Sequence, residues 1–283
     1  MKKTLYHLII AASLPVIVQT SSAQTTILTD NFDVTANGDP NNQLGSRQTG
    51  TQAGSSYTFS SGQTGSATDV GQPGGAANTG VLLEYNNNWV YNNLAYNDTV
   101  LGGNNALSIS FNLYQQVLDS QDPTAWSSFS FGRGTPSPNQ AGQFGFLVQG
   151  DQGMQVFNGN NLALDQNGHA FVTSDAWTVL LSGTAGGTGS PFDGTTYVQL
   201  FNNNDPANSM TGLGLVWSGQ LTTALSSGDQ IGFLCLQGSY PGWNECGIDN
   251  LTVVATPEPG TYAMLVGGFA MLICLSRKQV SVK

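Results

Sequence analysis

Leu107-Ser108-Ile109-Ser110-Phe111-Asn112-Leu113 alternates apolar and polar residues at every step. Successive side chains of a β-strand point to opposite faces, so this run offers one face to a core and one to water. The same short rhythm recurs along the chain. Further strands are expected over 81–85, 89–91, 126–131, 144–149, 154–157, 170–173, 177–182, 196–201, 215–218, 231–237 and 248–254. Turn signals separate them, among them Gly102-Gly103-Asn104-Asn105, Gln166-Asn167-Gly168 and Ser227-Gly228-Asp229. Asn, Asp and Gly tolerate the backbone angles that tight turns require. No helix-period segment of useful length competes with this pattern between residues 24 and 255. About a dozen short strands at this spacing predict an all-β, antiparallel β-sandwich, and specifically a jelly roll. Residues 34–80 are dense in Gly, Gln, Ser, Thr and Asn and read as long loops, with one strand near 57–60. A second Gly-rich loop is expected over 183–194.

The two ends of the 283-residue chain read differently. Lys2 and Lys3 precede an apolar stretch over 5–18, and Ser21-Ser22-Ala23 supplies small residues for cleavage between Ala23 and Gln24. This is the pattern of a secretory signal peptide, 1–23. At the other end, Pro257-Glu258-Pro259 is followed by an apolar run over 262–275 and then by Arg277 and Lys278. A spanning helix needs about 20 residues, and residues 259–276 come close to that length. The basic pair places the tail on the cytoplasmic side and the body outside. One C-terminal transmembrane helix is therefore expected within 256–283, leaving 24–255 as the extracellular β-sandwich.

The order Pro257-Glu258-Pro259, apolar helix, basic stop Arg277-Lys278, behind a signal peptide, resembles the PEP-CTERM sorting signal of Gram-negative bacteria. That resemblance implies export, a stage anchored in the inner membrane, recognition by the transpeptidase exosortase, and delivery to the cell surface or extracellular matrix. It associates the chain with biofilm and extracellular polysaccharide. In the body, the early Asp30-Asn31-Phe32 and the closing Gly247-Ile248-Asp249-Asn250-Leu251-Thr252-Val253 resemble segments of concanavalin-type and laminin-G-like lectin domains.

Composition narrows the partners. Between residues 24 and 255 stand two arginines, Arg47 and Arg133, no lysine, and sixteen acidic residues, a net charge of −14. Nucleic-acid binding through phosphates needs clustered cations, so it is excluded as a partner class. Neutral sugars, cations and other proteins remain. An exported chain meets an oxidising compartment, so Cys235 and Cys246 are expected to form a disulfide across a Gly- and Pro-containing turn.

Signals for catalysis are weak, and the chain is expected not to be an enzyme. The body holds a single histidine, His169, and no Gly-x-Ser-x-Gly elbow. Its two glutamates, Glu84 and Glu245, are far apart, and Asp119 with Asp122 reads as a turn rather than a glycosidase pair. Sugar binding has better candidates. Trp89 and Tyr91, among Asn86, Asn87, Asn88, Asn92 and Asn93, combine aromatic faces with amides, as do Tyr240 and Trp243. No cofactor is required. Calcium is compatible, because a jelly roll brings its ends together, which would set Asp30 beside Asp249 and Asn250 and present oxygen ligands. The expected function is a non-enzymatic exported surface protein. A lectin-like carbohydrate-binding module and a polysaccharide-active enzyme are the alternatives.

Overall fold

The computed structural model describes residues 24–30, 32, 57–59, 69–71, 79–84, 88–102, 104–115, 124–151, 153–166, 174–184, 187, 192–203, 214–221, 225–226, 228–236 and 245–256. Both chain ends, with Ala23, Pro257, Glu258, Pro259, Arg277 and Lys278, lie outside them, as do Tyr240, Trp243, His169 and the strand expected over 170–173. No helix among the described residues is long and apolar enough to cross a membrane.

The described strands are β1 (Thr25–Asp30), β2 (Tyr57–Phe59), β3 (Asp69–Gly71), β4 (Thr79–Glu84), β5 (Asn88–Asn92), β6 (Ala106–Gln115), β7 (Trp126–Gly132), β8 (Gln143–Gln149), β9 (Met154–Asn158), β10 (Asn161–Gln166), β11 (Ser174–Gly183), β12 (Thr196–Asn202), β13 (Leu215–Gln220), β14 (Gln230–Leu236) and β15 (Glu245–Thr256). One helical turn, α1 (Asp98–Leu101), interrupts them. Asn97 caps it by accepting from the Val100 amide, and Gly102 ends it in the left-handed region at φ 60°.

All pairings are antiparallel. Eight strands form one sheet in the order β13-β12-β11-β6-β15-β4-β3, with β1 also on β15. Seven form the other, in the order β10-β9-β8-β7-β14-β5-β2. The fold is an all-β jelly-roll sandwich, as the strand rhythm predicts. Neighbours in space are mostly distant in sequence, with β6 between β11 and β15, and β14 between β7 and β5.

The core between the sheets is aromatic. The alternation at 107–113 turns Leu107, Ile109, Phe111 and Leu113 inward. Phe111 meets Phe129 and Phe233 of the opposite sheet at ring-centroid separations of 4.9 and 5.1 Å. Trp177 on β11 meets Phe146 on β8 at 4.7 Å, and Trp217 on β13 meets Phe144 at 5.7 Å. Such pairs add about 0.5–1.5 kcal/mol each beyond their buried area. These contacts run along the sandwich and fix the register of one sheet on the other.

Several elements depart from the sequence reading. Residues 34–80 carry a second short strand, β3, which pairs with β4 in the sheet opposite to that of β2. The β9–β10 hairpin turns at Gly159, with φ 65°, and β10 continues to the edge with mostly exposed side chains. An edge strand that half-buries only Leu164 and Gln166 gives little hydrophobic alternation to read. β8, expected over 144–149, is found at Gln143–Gln149 with every residue buried. Its outer face is covered by the β7–β8 loop. A Cβ on Gly145 would lie 2.5 Å from the Pro138 backbone, and one on Gly232 would collide with the Pro136 ring. Gln143 holds the loop there, donating to the carbonyls of Arg133 (3.0 Å) and Thr135 (3.1 Å) while accepting from the Ser137 amide.

Candidate functional site

Trp89 and Tyr91 occupy alternate positions of β5. Asn88, Val90 and Asn92 turn inward, so the two aromatics share the outer face of the seven-stranded sheet, each half-buried. Their rings lie 5.5 Å apart at an interplanar angle of 14°. Residues two apart on one strand face the same way, and at this separation the two rings stack face on face with an offset. The register places Trp89 beside Leu234 and Tyr91 beside Gly232 on β14, with Thr58 of β2 on the other flank of Tyr91. Gly232 and the row beyond it are roofed by the Pro136–Pro138 loop. The aromatic pair therefore forms a platform beside the covered centre of the sheet. Hydrogen-bonding groups border it. Thr58 donates its hydroxyl to the exposed Asn93 at Oδ1 (2.8 Å), while Asn92, on the inner face, accepts from the Leu94 amide (2.9 Å). Such a surface can stack on the C–H face of a sugar and present amide and hydroxyl groups to its rim.

The second cluster lies where β15 changes partners. β4 pairs with its first half and β1 with its second. At the junction the β15–β6 register steps from Asp249↔Asn112 to Thr252↔Ser110, setting Asn250 and Leu251 against Phe111. This is a β-bulge, and Asn250 takes the left-handed conformation, φ 53°. Asp249 is buried and accepts from the Asn250 amide (2.6 Å) and from Asn250 Nδ2 (3.1 Å), which also donates to Asn112 Oδ1 (3.2 Å). Asp30, opposite Leu251, is equally buried and accepts from the Phe32 amide (2.8 Å) and the Tyr57 hydroxyl (3.0 Å). Burial raises the pKa of the Asp249 carboxyl, the Asn250 amide opposes the rise, and the negative charge of Asp30 adds to it.

The fold thus brings Asp30, Asp249 and Asn250 into one cluster, and adds Tyr57 and Asn112, which sequence reading did not place there. As a calcium site the donor set is thin. The carboxylates already accept four hydrogen bonds from the chain, and among the described residues no group of three His, Cys, Asp or Glu side chains gathers anywhere. Calcium takes six to eight oxygens. The arrangement is complete as a hydrogen-bonded lock joining the first and last strands.

Cys235 on β14 is disulfide-bonded. Of its expected partner, Cys246, the structure describes the backbone, which pairs with Leu83 and Gln115 in the other sheet. A third buried acid, Asp229, was not anticipated. It accepts from the amide and hydroxyl of Ser226, and its pKa is pushed up to about 6 by burial, against the pull of those bonds and of Arg133.

No family model matches the chain, and no curated protein matches it. Solved structures do. The chain is similar to the binding domain of botulinum neurotoxin DC in complex with rat synaptotagmin II, at 10% identity and TM-score 0.44, over 82% of this chain and 49% of that one. It is similar to the botulinum neurotoxin serotype C1 binding domain at 12% identity and TM-score 0.43, over 85% and 51%. A third structure, described under the cell entry of botulinum neurotoxin type C and its dependence on two ganglioside molecules, matches at 12% identity and TM-score 0.41, over 85% and 50%. The chain spans about half the length of these structures.

Proposed function

We propose that this chain is an exported surface protein whose β-sandwich binds extracellular polysaccharide on the Trp89–Tyr91 platform, without catalysing a reaction. The observation that supports the binding half is the stacked pair itself: two aromatic rings, half-exposed, parallel within 14°, on an outer sheet face. Isolated aromatics at a surface are ordinary, but two rings offset-stacked by strand periodicity make an apolar ridge against which a sugar ring can pack. A body of net charge −14 favours a neutral glycan over an acidic one.

The export half rests on sequence. Pro257-Glu258-Pro259, the apolar run after it and Arg277-Lys278 support handling by secretion machinery and exosortase, with a membrane-anchored stage before display at the surface or in the biofilm matrix. N-terminal sequencing of the exported protein should begin at Gln24. Removal of exosortase from the host should leave the uncut chain in the inner membrane, and unchanged processing would sink the sorting reading. For the binding half, immobilised neutral glycans should retain the chain, and Trp89→Ala should release it with the fold intact.

A further inference from the structure

Strand register carries the outer face of the seven-stranded sheet beyond the Trp89–Tyr91 pair. Trp89 lies opposite Leu234 of β14, and Leu234 opposite Ser128 of β7. Two residues along, Leu236 lies opposite Trp126, and Trp126 opposite Gln149 of β8. Phe233 and Phe129 turn into the core against Phe111. By alternation Leu234, Leu236, Ser128 and Trp126 therefore turn outward, on the same face as the aromatic pair. From the Tyr91 row to this end of β14 and β7, the outward side chains that stay half-exposed are Tyr91, Trp89, Leu234, Leu236 and Trp126. Ser128, among them, is buried, and its hydroxyl is bonded to the Leu234 carbonyl (3.2 Å). The Pro136 ring fills the space over Gly232, the neighbour of Tyr91 on β14, so the roof loop walls one flank of the strip. With strands about 4.8 Å apart and a rise of about 3.4 Å per residue, Trp126 stands roughly 12 Å from Trp89 and roughly 17 Å from Tyr91 along an oblique line.

We propose that Trp126 is a further sugar-contacting residue, and that the site takes a chain of several neutral sugar rings laid obliquely from Tyr91 past Trp89 to Trp126, rather than one terminal sugar. This deepens the sugar-binding reading and rests on it. The shape of the strip favours a polymer. It is one side chain wide on each strand, walled on one flank, and continuous with the aromatic pair, whereas the patches that anchor proteins to one another are compact clusters ringed by further contacts. Its aromatic rings stand at the two ends, with Leu234 and Leu236 between them, so a ligand that engages both ends spans more than a single ring. The floor can be covered without stranding a polar group, because the Ser128 hydroxyl already has its acceptor. Trp126 stands far from Trp89 in sequence, and only the pairing of both strands with β14 brings them to one line.

Calorimetric titration of the full chain, in detergent that takes up the apolar run at 262–275, with linear neutral oligosaccharides of glucose, mannose and galactose, from disaccharide to hexasaccharide, tests the proposal. Affinity should rise at least tenfold between the shortest and the longest oligomer of the sugar that binds. Trp126→Ala should cancel that rise and leave disaccharide binding within twofold of wild type. Trp126→Phe, which keeps an aromatic face, should retain most of it. Trp89→Ala should weaken binding at every length. Each variant is first matched to the wild-type thermal midpoint, and Trp126→Thr, a good strand former, takes the place of Trp126→Ala if that variant does not fold. Equal affinity at every length, or a rise that Trp126→Ala leaves intact, would overturn the polymer site while the Trp89–Tyr91 platform stands. Loss of the disaccharide on Trp126→Ala would overturn it too, by making Trp126 the primary contact. No binding at any length would overturn the platform and this extension together.

Discussion

The Tyr57 hydroxyl donates to Asp30 Oδ2 across 3.0 Å, and this bond ties the edge of one sheet to the first strand of the other. Both residues are buried, and Phe32 packs against the tyrosine ring at 5.7 Å. The bond matters because Asp30 sits beside a second buried carboxylate, where losing one donor leaves the negative charge less compensated. Tyr57→Phe should therefore lower stability by about 1–3 kcal/mol, read from the urea midpoint. A change within error would show the carboxylate is satisfied without the tyrosine.

The raised carboxyls predict a direction for the pH dependence. Asp229 titrates at about 6 when folded, above its ordinary value of 3.8, so the folded chain binds this proton more tightly than the unfolded one. Its contribution to stability is full below pH of about 4 and is lost as pH rises through about 6. Asp249 shifts the same way. Asp229→Asn should flatten the stability profile between pH of about 4 and 7 by about 2 kcal/mol, measured by chemical denaturation across that range. An unaltered slope would exclude Asp229 as its source.

Two glycine substitutions separate steric from conformational demands. Gly145→Ala drives a methyl group into the Pro138 backbone and should cost about 1–3 kcal/mol while displacing the β7–β8 loop. Gly102→Ala meets no atom within 4 Å, and its cost, about 1 kcal/mol, comes from the left-handed backbone alone. Thermal melts of both variants, with amide exchange along residues 133–142, check the contrast. Exchange should quicken there only in Gly145→Ala.

Peptide mapping without reductant should recover Cys235 joined to Cys246. Reduction should then lower stability by about 2–3 kcal/mol, as expected for a short closed loop. Recovery of Cys235 joined instead to Cys274, the third cysteine of the chain and part of the apolar run over 262–275, would redirect the link to the chain end.

Much of this fold was legible because burial writes itself into alternation. The run at 107–113 became β6, in the middle of its sheet, and the closing segment at 248–254 lies within β15, between β6 and the strands β1 and β4. The strand over 144–149 was also legible, as β8. What escaped reading includes β1 and β10, the second exposed along most of its length, so that little burial is written into its sequence. In the candidate sites, the juxtaposition of Asp30 with Asp249 followed from how a jelly roll returns its ends. Tyr57 and Asn112 could not be read, since each acts through a partner far away in sequence and neither stands in a motif. Asp229 was hidden in a turn signal, where an aspartate usually faces water.

The most direct test of the sugar-binding account is a neutral-glycan array probed with the wild-type chain, Trp89→Ala and Tyr91→Ala, each first shown to keep its thermal midpoint. The platform predicts retention of the wild type and loss of at least tenfold in affinity for either variant, with the greater loss for Trp89. Wild-type binding that survives both substitutions, or no binding to any neutral glycan, would contradict it.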